Sequence, residues 1–309
     1  MSAIAMLSAD DRAAAARPLG RERRARRAGL LFVAPAVLLL VAIYLVPMIV
    51  LAGFSLTDYR LGALATRFVG LGNFAHAFAD PVFLRATANT VLYAAIVIPG
   101  GVFLGLGAAL LVEGRRRSRS FFETAYFLPV TATLVAMATV FQFLLHPSIG
   151  PINAAIVALG FEPVSFLSTP ALLVPTMAVI GIWQVIGFNM VLFLAGLAAI
   201  PRDLHEAARL DGARHSVDRF LIVTWPMLGP TTLFVVVTTS ITAFKVFETV
   251  AVLTHGRGGT ETMLYDLYLE GFEYSNTGYA AALTLLFLAV VLVLSIGQTL
   301  HLDRKVHYR

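Results

Sequence analysis

The chain has 309 residues, of which 58% are hydrophobic and 13% are charged, and its formal net charge is +5. Soluble domains average about 25% charged residues, so this composition excludes an ordinary soluble domain and indicates a membrane protein. The basic residues stand beside apolar stretches without interleaved aromatic residues, which argues against a nucleic-acid partner. The chain contains no cysteine, which excludes disulfide bonds, thiolate metal sites and dithiol redox motifs.

The start of the chain is basic and lacks hydrophobic periodicity, so residues 1–28 are predicted to be a disordered cytoplasmic N-terminus. It ends in RERRARR at residues 21–27, and no charged residue follows until after residue 57. That apolar run is long enough to cross about 30 Å of hydrocarbon. A cleaved signal peptide is the alternative, because Ala63-Leu64-Ala65 resembles a cleavage site. The run is too long for a signal sequence, so a retained helix is expected.

Five further apolar stretches are each long enough to cross a membrane as a helix. They occupy residues 90–112, 121–145, 171–200, 231–253 and 279–300. Pro99, Pro129 and Pro175 fall inside these stretches and predict kinks or broken turns. The predicted fold is therefore an all-α membrane protein with six transmembrane helices in one domain, residues 29–300, followed by a cytoplasmic tail, residues 301–309.

The distribution of Lys and Arg predicts the orientation. If both termini are cytoplasmic, the inside segments hold 18 of these residues and the outside segments hold 4. The positive-inside rule then places both termini, and the loop between the fourth and fifth spans, in the cytoplasm.

That loop, residues 201–230, reads PRDLHEAARLDGARHSVDRFLIVTWPMLGP. Pro201 can start a helix, because proline at the first helical position loses no needed hydrogen bond. The acidic residues Asp203 and Glu206 suit the positive end of the helix dipole. Gly212 permits the left-handed conformation that ends a helix. The loop is predicted to begin with a short helix, from about Arg202 to Asp211.

The letters EAARLDGA, followed by an apolar run and a proline, resemble the EAA loop of ABC-importer permeases, in the branch that carries sugars and glycerol-3-phosphate. The residues that carry the match are Glu206, Ala207, Ala208, Asp211, Gly212, Phe220 and Pro226. The spacing from the glycine to the proline is one residue longer here, and the glutamine common after the glycine is missing. Two other segments, residues 69–90 and 253–272, resemble external loops of the same family, although the second lacks the usual Gly-Gly-Pro.

The resemblance implies a type I ABC-importer permease (MetI-like) fold in a bacterial or archaeal cell (inner) membrane. It also implies three kinds of protein partner: a second permease subunit, a cytoplasmic ABC ATPase dimer and an extracytoplasmic solute-binding protein. ATP and Mg²⁺ would bind the ATPase, and no cofactor is expected in this chain. In this family the loop forms a coupling helix in a cleft of the ATPase, which assigns coupling to Glu206, Ala207, Ala208, Asp211 and Gly212.

Polar side chains inside apolar spans are costly and are candidates for a solute path. The candidates are Trp183, Gln184, Asn189, Phe244, Lys245 and Glu248. Each could instead serve helix packing, and Lys245 and Glu248, three residues apart, could form a structural ion pair on one helix face. Glycines 100, 101, 105 and 107 in the second span are interpreted as close-packing residues.

No catalytic constellation and no GxxxxGK[ST] motif occurs, so the chain is not expected to be an enzyme or to bind ATP by itself. The seven histidines are scattered and form no i, i+4 pair, so no metal site is expected. The alternative function is a secondary transporter of a small polar solute. That class usually shows an internal repeat, and spans one to three do not resemble spans four to six. The sequence therefore favours the permease subunit of an ATP-driven, binding-protein-dependent importer of a sugar, oligosaccharide or glycerol-phosphate-like solute.

Overall fold

The computed structural model describes residues 28–115 and 118–303, with side chains up to residue 300. The predicted N-terminus before residue 28 and the tail from residue 304 lie outside these ranges. The part that is described is almost entirely helical, and its one isolated β-bridge joins Thr57 to Phe68. The described chain divides into two compact units, with the boundary between residues 54 and 55.

The first unit contains α1, Ala28–Ser55, which continues one residue into the second unit. It is long and apolar enough to cross a membrane. A π turn, Val41–Leu45, widens the helix and ends two residues before Pro47. The ring of a proline collides with the carbonyl four residues earlier in an ordinary α-helix, and a π turn opens the backbone at that point.

The second unit contains the remaining helices. They are α2 (Gly72–Ala79), α3 (Pro81–Glu113), α4 (Arg119–Thr131), α5 (Leu134–Leu144), α6 (Pro151–Ala158), α7 (Pro170–Ala198), α8 (Arg202–Leu210), α9 (Ser216–Arg219), α10 (Trp225–Met227), α11 (Gly229–Phe244), α12 (Glu248–Leu253), α13 (Met263–Tyr268) and α14 (Thr277–Asp303). Two further π turns, Phe220–Thr224 and Leu269–Glu273, and a 3₁₀ turn, Arg257–Gly259, connect some of them.

Five segments of the described chain pass as single membrane spans: α1, α3, α7, the pair α11 and α12, and α14. The predicted third span is not a straight helix, because α4 and α5 meet at an angle of 99°. The residues between them, Ala132 and Thr133, are extended, with ψ of 143° and 135°. Counting this bent pair as one span gives the six that the sequence predicts.

The second span begins earlier than predicted, at Pro81 instead of residue 90. Asp80 caps this helix, since its Oδ1 accepts a hydrogen bond of 2.9 Å from the backbone N of Val82. Proline in the first turn of α3 is compatible with a helix start. The predicted stretch began too late because Arg85 and Asn89 are polar, although both lie within the helix.

Glycines bring α3 and α7 close together. A Cβ added at Gly101 or at Gly105 would lie 2.6 Å from a side-chain atom of Val185 or Asn189, and one at Gly100 would lie 2.5 Å from Ile182. These contacts confirm the close-packing interpretation of the three glycines. Gly107 has no neighbour within 4 Å among the described residues, so it takes no part in the contact between α3 and α7. Small residues are what allow two helix backbones to approach in a membrane protein.

Candidate functional site

The predicted short helix of the loop is α8, and its end has a defined hydrogen-bond pattern. Gly212 is left-handed, with φ of +99°, as the sequence predicts. Its backbone N donates to the carbonyl of Arg209 (3.2 Å), and the N of Ala213 donates to that of Ala208 (2.9 Å). This is the Schellman arrangement, which satisfies carbonyls at a helix end. Ala208 and Ala213 are both buried in the same apolar cluster, so the end of α8 is fixed.

The face of α8 that carries positions 204, 207, 208 and 211 lines an open groove of about 520 Å³, the α8 groove. Its far wall is formed by Ile222, Val223, Pro226 and Met227. Residues spaced by three, four and seven lie on one helix face. Four of the five residues predicted to couple with an ATPase therefore line one groove: Ala207, Ala208, Asp211 and Gly212.

Glu206 lies on a different face of α8. Together with Arg202, His205 and Arg209 it lines a second cavity of about 690 Å³, the polar pocket, between α8 and the ends of α3 and α7. The structure therefore separates Glu206 from the other four predicted coupling residues. Glu206 itself is exposed.

The segment after α8 explains the altered spacing between glycine and proline. It contains the short helix α9 and then the π turn Phe220–Thr224, which ends just before Pro226. A π turn holds one more residue than an α turn. The wide turn therefore has room for an additional residue between Gly212 and Pro226.

Three of the six predicted path residues line one cavity of about 220 Å³, the central cavity: Gln184, Lys245 and Glu248. Helices α3, α7, α11 and α12 all contribute to its wall. The chain is not helical at residues 245–247, and Phe247 has φ of −138° and ψ of −60°. This break places Lys245 at the start of a non-helical turn and Glu248 directly after that turn, and both line the same cavity.

The structure contains no salt bridge between Lys245 and Glu248, although both are within its described part. Their placement on one helix face is wrong, because α11 ends at Phe244 and α12 begins at Glu248. Lys245 is exposed, and Glu248 is partly buried. The ionic groups are therefore available to the central cavity and do not neutralise each other at hydrogen-bond distance.

The other three predicted path residues pack against neighbouring helices and do not line the central cavity. Trp183 contacts Phe141 edge to face, with ring centroids 5.3 Å apart. Asn189 is buried, and its Oδ1 accepts a hydrogen bond of 3.1 Å from Thr239 Oγ1. Phe244 is buried in the largest apolar cluster of the described residues.

Sequence reasoning missed three residues with hydroxyl groups in the wall of the central cavity: Tyr93, Thr242 and Thr249. Tyr93 packs its hydroxyl against Gly181 on α7, where any side chain would collide with it. In the sequence, Tyr93 lies near the start of one apolar stretch and Gly181 lies inside another, and neither position indicates this contact.

The glycine-rich segment, residues 254–262, is bound to α3 and to the break beside the central cavity. Asn89 Nδ2 donates to the carbonyls of Gly259 (2.7 Å) and Glu261 (2.9 Å). Arg85 forms a salt bridge of 3.3 Å with Glu261. Thr262 Oγ1 donates a hydrogen bond of 2.9 Å to the carbonyl of Val246. The segment is therefore fixed at several points.

A buried carboxyl lies just beyond this segment. Asp266 is 3% exposed, and its Oδ2 has no hydrogen-bond partner. Burial, together with the neighbouring carboxylates of Glu270, Asp80 and Glu261, raises the pKa of the Asp266 carboxyl from 3.8 to about 7, against a smaller lowering by Arg85. Within the described ranges, no group of three or more His, Asp or Glu could hold a metal ion.

Comparison with known proteins identifies the family. The family described as "Binding-protein-dependent transport system inner membrane component" matches residues 98–308. The chain is 33% identical over 274 residues to the probable ABC transporter permease protein YurN of Bacillus subtilis, covering 87% of this chain and 93% of that protein. It is 33% identical over 278 residues to the lactose transport system permease protein LacF of Rhizobium radiobacter, covering 87% and 92%.

Another relative is the sn-glycerol-3-phosphate transport system permease protein UgpA of Agrobacterium fabrum, which is 31% identical over 287 residues, with coverage of 90% of this chain and 95% of that protein. In structure, the chain resembles a chain of a bacterial ABC transporter involved in the import of the acidic polysaccharide alginate. The TM-score is 0.80 at 23% identity, and 93% of this chain and 99% of that chain are covered. This likeness shows the fold.

The fold and the family define a membrane permease of the ABC-importer type. The chain belongs to the family of binding-protein-dependent transport system inner membrane components. It is therefore a membrane-embedded importer subunit and not an enzyme, and the secondary-transporter alternative is wrong.

Proposed function

We propose that this chain is one of two permease subunits in an importer of a sugar, oligosaccharide or glycerol-phosphate-like solute. A cytoplasmic ABC ATPase dimer drives the importer, and an extracytoplasmic binding protein delivers the solute. The names of the relatives support this solute class, since they transport lactose and sn-glycerol-3-phosphate. A neighbour in structure was solved with an alginate pentasaccharide-bound periplasmic protein.

The structure of α8 is the observation that supports a role in coupling. A helix of nine residues is too short to be stable alone in water, yet its end is fixed by the Schellman bonds and one of its faces lines an open apolar groove. We infer that Glu206, Ala207, Ala208, Asp211 and Gly212 couple this chain to the ATPase. ATP closes the ATPase dimer and α8 moves with it. ATP thereby supplies the differential affinity that a switch between inward-facing and outward-facing states needs.

The central cavity supports the proposed solute path. Gln184 offers both donors and an acceptor, Lys245 offers donors and Glu248 offers acceptors, and all three line one space. A polyhydroxylated solute presents donors and acceptors along its edges, so this set suits it. Trp183, Asn189 and Phe244 would then act indirectly, by holding α7 and α11 in place around the cavity.

Co-purification tests the central assignment. The full chain, tagged and extracted from its native membrane, is expected to retain an ABC ATPase and a second permease. Ala207→Trp fills the α8 groove and should release the ATPase, whereas Arg214→Ala, an exposed arginine of the same loop that does not line the groove, should retain it. A wild-type chain that retains no ATPase would refute the proposal. Uptake of labelled lactose and sn-glycerol-3-phosphate into vesicles containing the retained complex then tests the solute class.

The proposed orientation places both termini, and α8 with them, in the cytoplasm. The chain has no cysteine of its own, so single cysteines give an unobstructed labelling test. A cysteine at Asp211 should react with an impermeant maleimide only after the membrane is opened. One at Gly160, in the connection between α6 and α7, should react in intact cells. The reverse pattern would contradict the orientation.

A further inference from the structure

The polar pocket continues into a second cavity. A groove of about 510 Å³, the side groove, runs between α4 and α7 and shares Arg119, Leu194 and Ala198 with the pocket. Its wall is mostly apolar and includes Phe127, Val191 and Ala195. The lining residues span positions 119–127 on α4 and 191–198 on α7, which corresponds to about 11–12 Å along each helix at 1.5 Å per residue. The polar pocket thus adjoins an open, mostly apolar groove that runs along α4 and α7.

The polar pocket is lined by charges of both signs that form no salt bridge with one another or with any other described residue. Arg202 and Arg209 line it, and neither takes part in a salt bridge of the described residues. The same holds for two carboxylates in the lining, Glu113 and Glu206. The remaining guanidinium, of Arg119, is already occupied by Glu123 at 2.7 Å. The free groups are therefore two cations and two anions, so the pocket suits a ligand that carries both charges.

We propose that the pocket and the side groove together bind one zwitterionic aminophospholipid. Its phosphate diester lies against Arg202 and Arg209, because guanidinium groups form strong charge-assisted hydrogen bonds to phosphate. Its primary ammonium lies against Glu113, whose carboxylate can accept hydrogen bonds from it, and the exposed Glu206 is left for the contact with the ATPase. Part of one acyl chain fills the side groove. Basic pockets between helices at a membrane surface are known to bind lipid head groups.

The arrangement connects the lipid to the loop that carries α8. Arg202, His205, Glu206 and Arg209 recur at the spacing of one helix face, and that face meets the ends of α3 and α7 across the pocket. A head group between them holds α8 against the bundle, while the α8 groove on the other face remains open to a partner. The assignment to the cytoplasmic leaflet rests on the orientation under the proposed function, but the binding itself does not.

Native mass spectrometry of the full chain in detergent tests the proposal without a transport assay. Phosphatidylethanolamine, phosphatidylcholine and phosphatidylglycerol with identical acyl chains are added at equal concentration. Phosphatidylethanolamine should be retained several-fold better than the other two, because choline has no N–H donor and glycerol has no positive charge. Glycerophosphoethanolamine, which lacks acyl chains, should not compete. Equal retention of the three lipids, or effective competition by the free head group, would overturn the proposal.

Variants separate the two parts of the site. Arg202→Gln with Arg209→Gln should reduce phosphatidylethanolamine retention several-fold, whereas Arg214→Gln on the same loop should not. Glu113→Gln should reduce the preference for phosphatidylethanolamine over phosphatidylcholine while total lipid retention persists, a result that a misfolded variant would not give. Ala195→Trp should reduce retention of all three lipids.

Retention at the wild-type level in the Arg202→Gln, Arg209→Gln double variant would refute the site. Loss of the lipid when the second permease assembles would also refute it, because a partner helix would then occupy the groove.

Discussion

Gly105 and Asn189 lie so close that a Cβ on residue 105 would be 2.6 Å from Cβ of Asn189. The contact joins the last third of α3 to α7, and Asn189 is fixed there by its hydrogen bond to Thr239 on α11. Three membrane-embedded helices therefore meet at a position that has no room for a methyl group.

Gly105→Ala should destabilise the protein by about 1–3 kcal/mol, the usual cost of overpacking a tight core. Gly107→Ala is the matched control, since position 107 faces open space on the same helix and alanine is the better helix former. The measurement is the thermal unfolding midpoint of each purified variant. Equal midpoints for the two variants would show that α3 and α7 do not pack through Gly105.

Asn89→Ala should loosen the glycine-rich segment. It removes both hydrogen bonds to the segment's carbonyls and leaves those carbonyls unsatisfied, at about 1–3 kcal/mol for each one that stays buried. Hydrogen–deuterium exchange should rise in residues 254–262. Thr87→Ala serves as the comparison, because the Thr87 hydroxyl bonds only to Phe83 within its own helix. Unchanged exchange in the variant at position 89 would mean that Arg85 and Thr262 suffice to hold the segment.

Asp266→Asn should remove a pH dependence of stability. The folded protein keeps the proton of this carboxyl up to a pKa of about 7, whereas the ordinary pKa is 3.8. Between these values the folded state binds more protons than the unfolded state, so wild-type stability falls as pH rises through this window. The neutral variant should therefore be more stable than the wild type at pH 8, by on the order of 1 kcal/mol or more, and the difference should shrink toward pH 4. Thermal unfolding across this pH range is the measurement.

The control is Glu162→Gln, which changes an exposed carboxyl. A stability advantage of the Asp266→Asn variant that is constant with pH would contradict the assignment.

Gly212→Val should impair the coupling of ATP hydrolysis to uptake, and the loss should exceed what the backbone strain of the substitution explains. A β-branched residue at φ of +99° costs about 1–2 kcal/mol, but an added Cβ there meets no neighbouring atom. Gly62→Val has a matched strain, with φ of +85° and open space around it, in a connection outside the α8 loop. ATP-dependent uptake should be lost only in the Gly212→Val variant, with both chains expressed. Equal uptake by the two variants would remove α8 from the proposed coupling path.

The positions of structural elements could be predicted best from the sequence where a single physical signal determines them. The proline before α8, its acidic first turn and Gly212 gave its bounds to within about one residue, and long apolar runs located the spans. The start of α3 was missed because Arg85 and Asn89 look like loop residues, although both contact the glycine-rich segment. The 99° bend and the break at residues 245–247 depend on packing between distant segments, which local apolarity does not encode. The grouping of Gln184, Lys245 and Glu248 around one cavity follows from that break and could not be derived from helical spacing.

The hydrogen bond from Thr262 to the carbonyl of Val246 has a mechanical consequence. A break in a membrane helix frees carbonyl groups that an intact helix would use internally, and here one of them is satisfied by a residue of the glycine-rich segment. The unwound turn that presents Lys245 to the central cavity is thereby tied to the same segment that Asn89 and Arg85 fasten to α3. Any displacement of that segment stretches a bond in the cavity wall. Movement of the glycine-rich segment is thus passed to the wall of the central cavity through the side chain of Thr262.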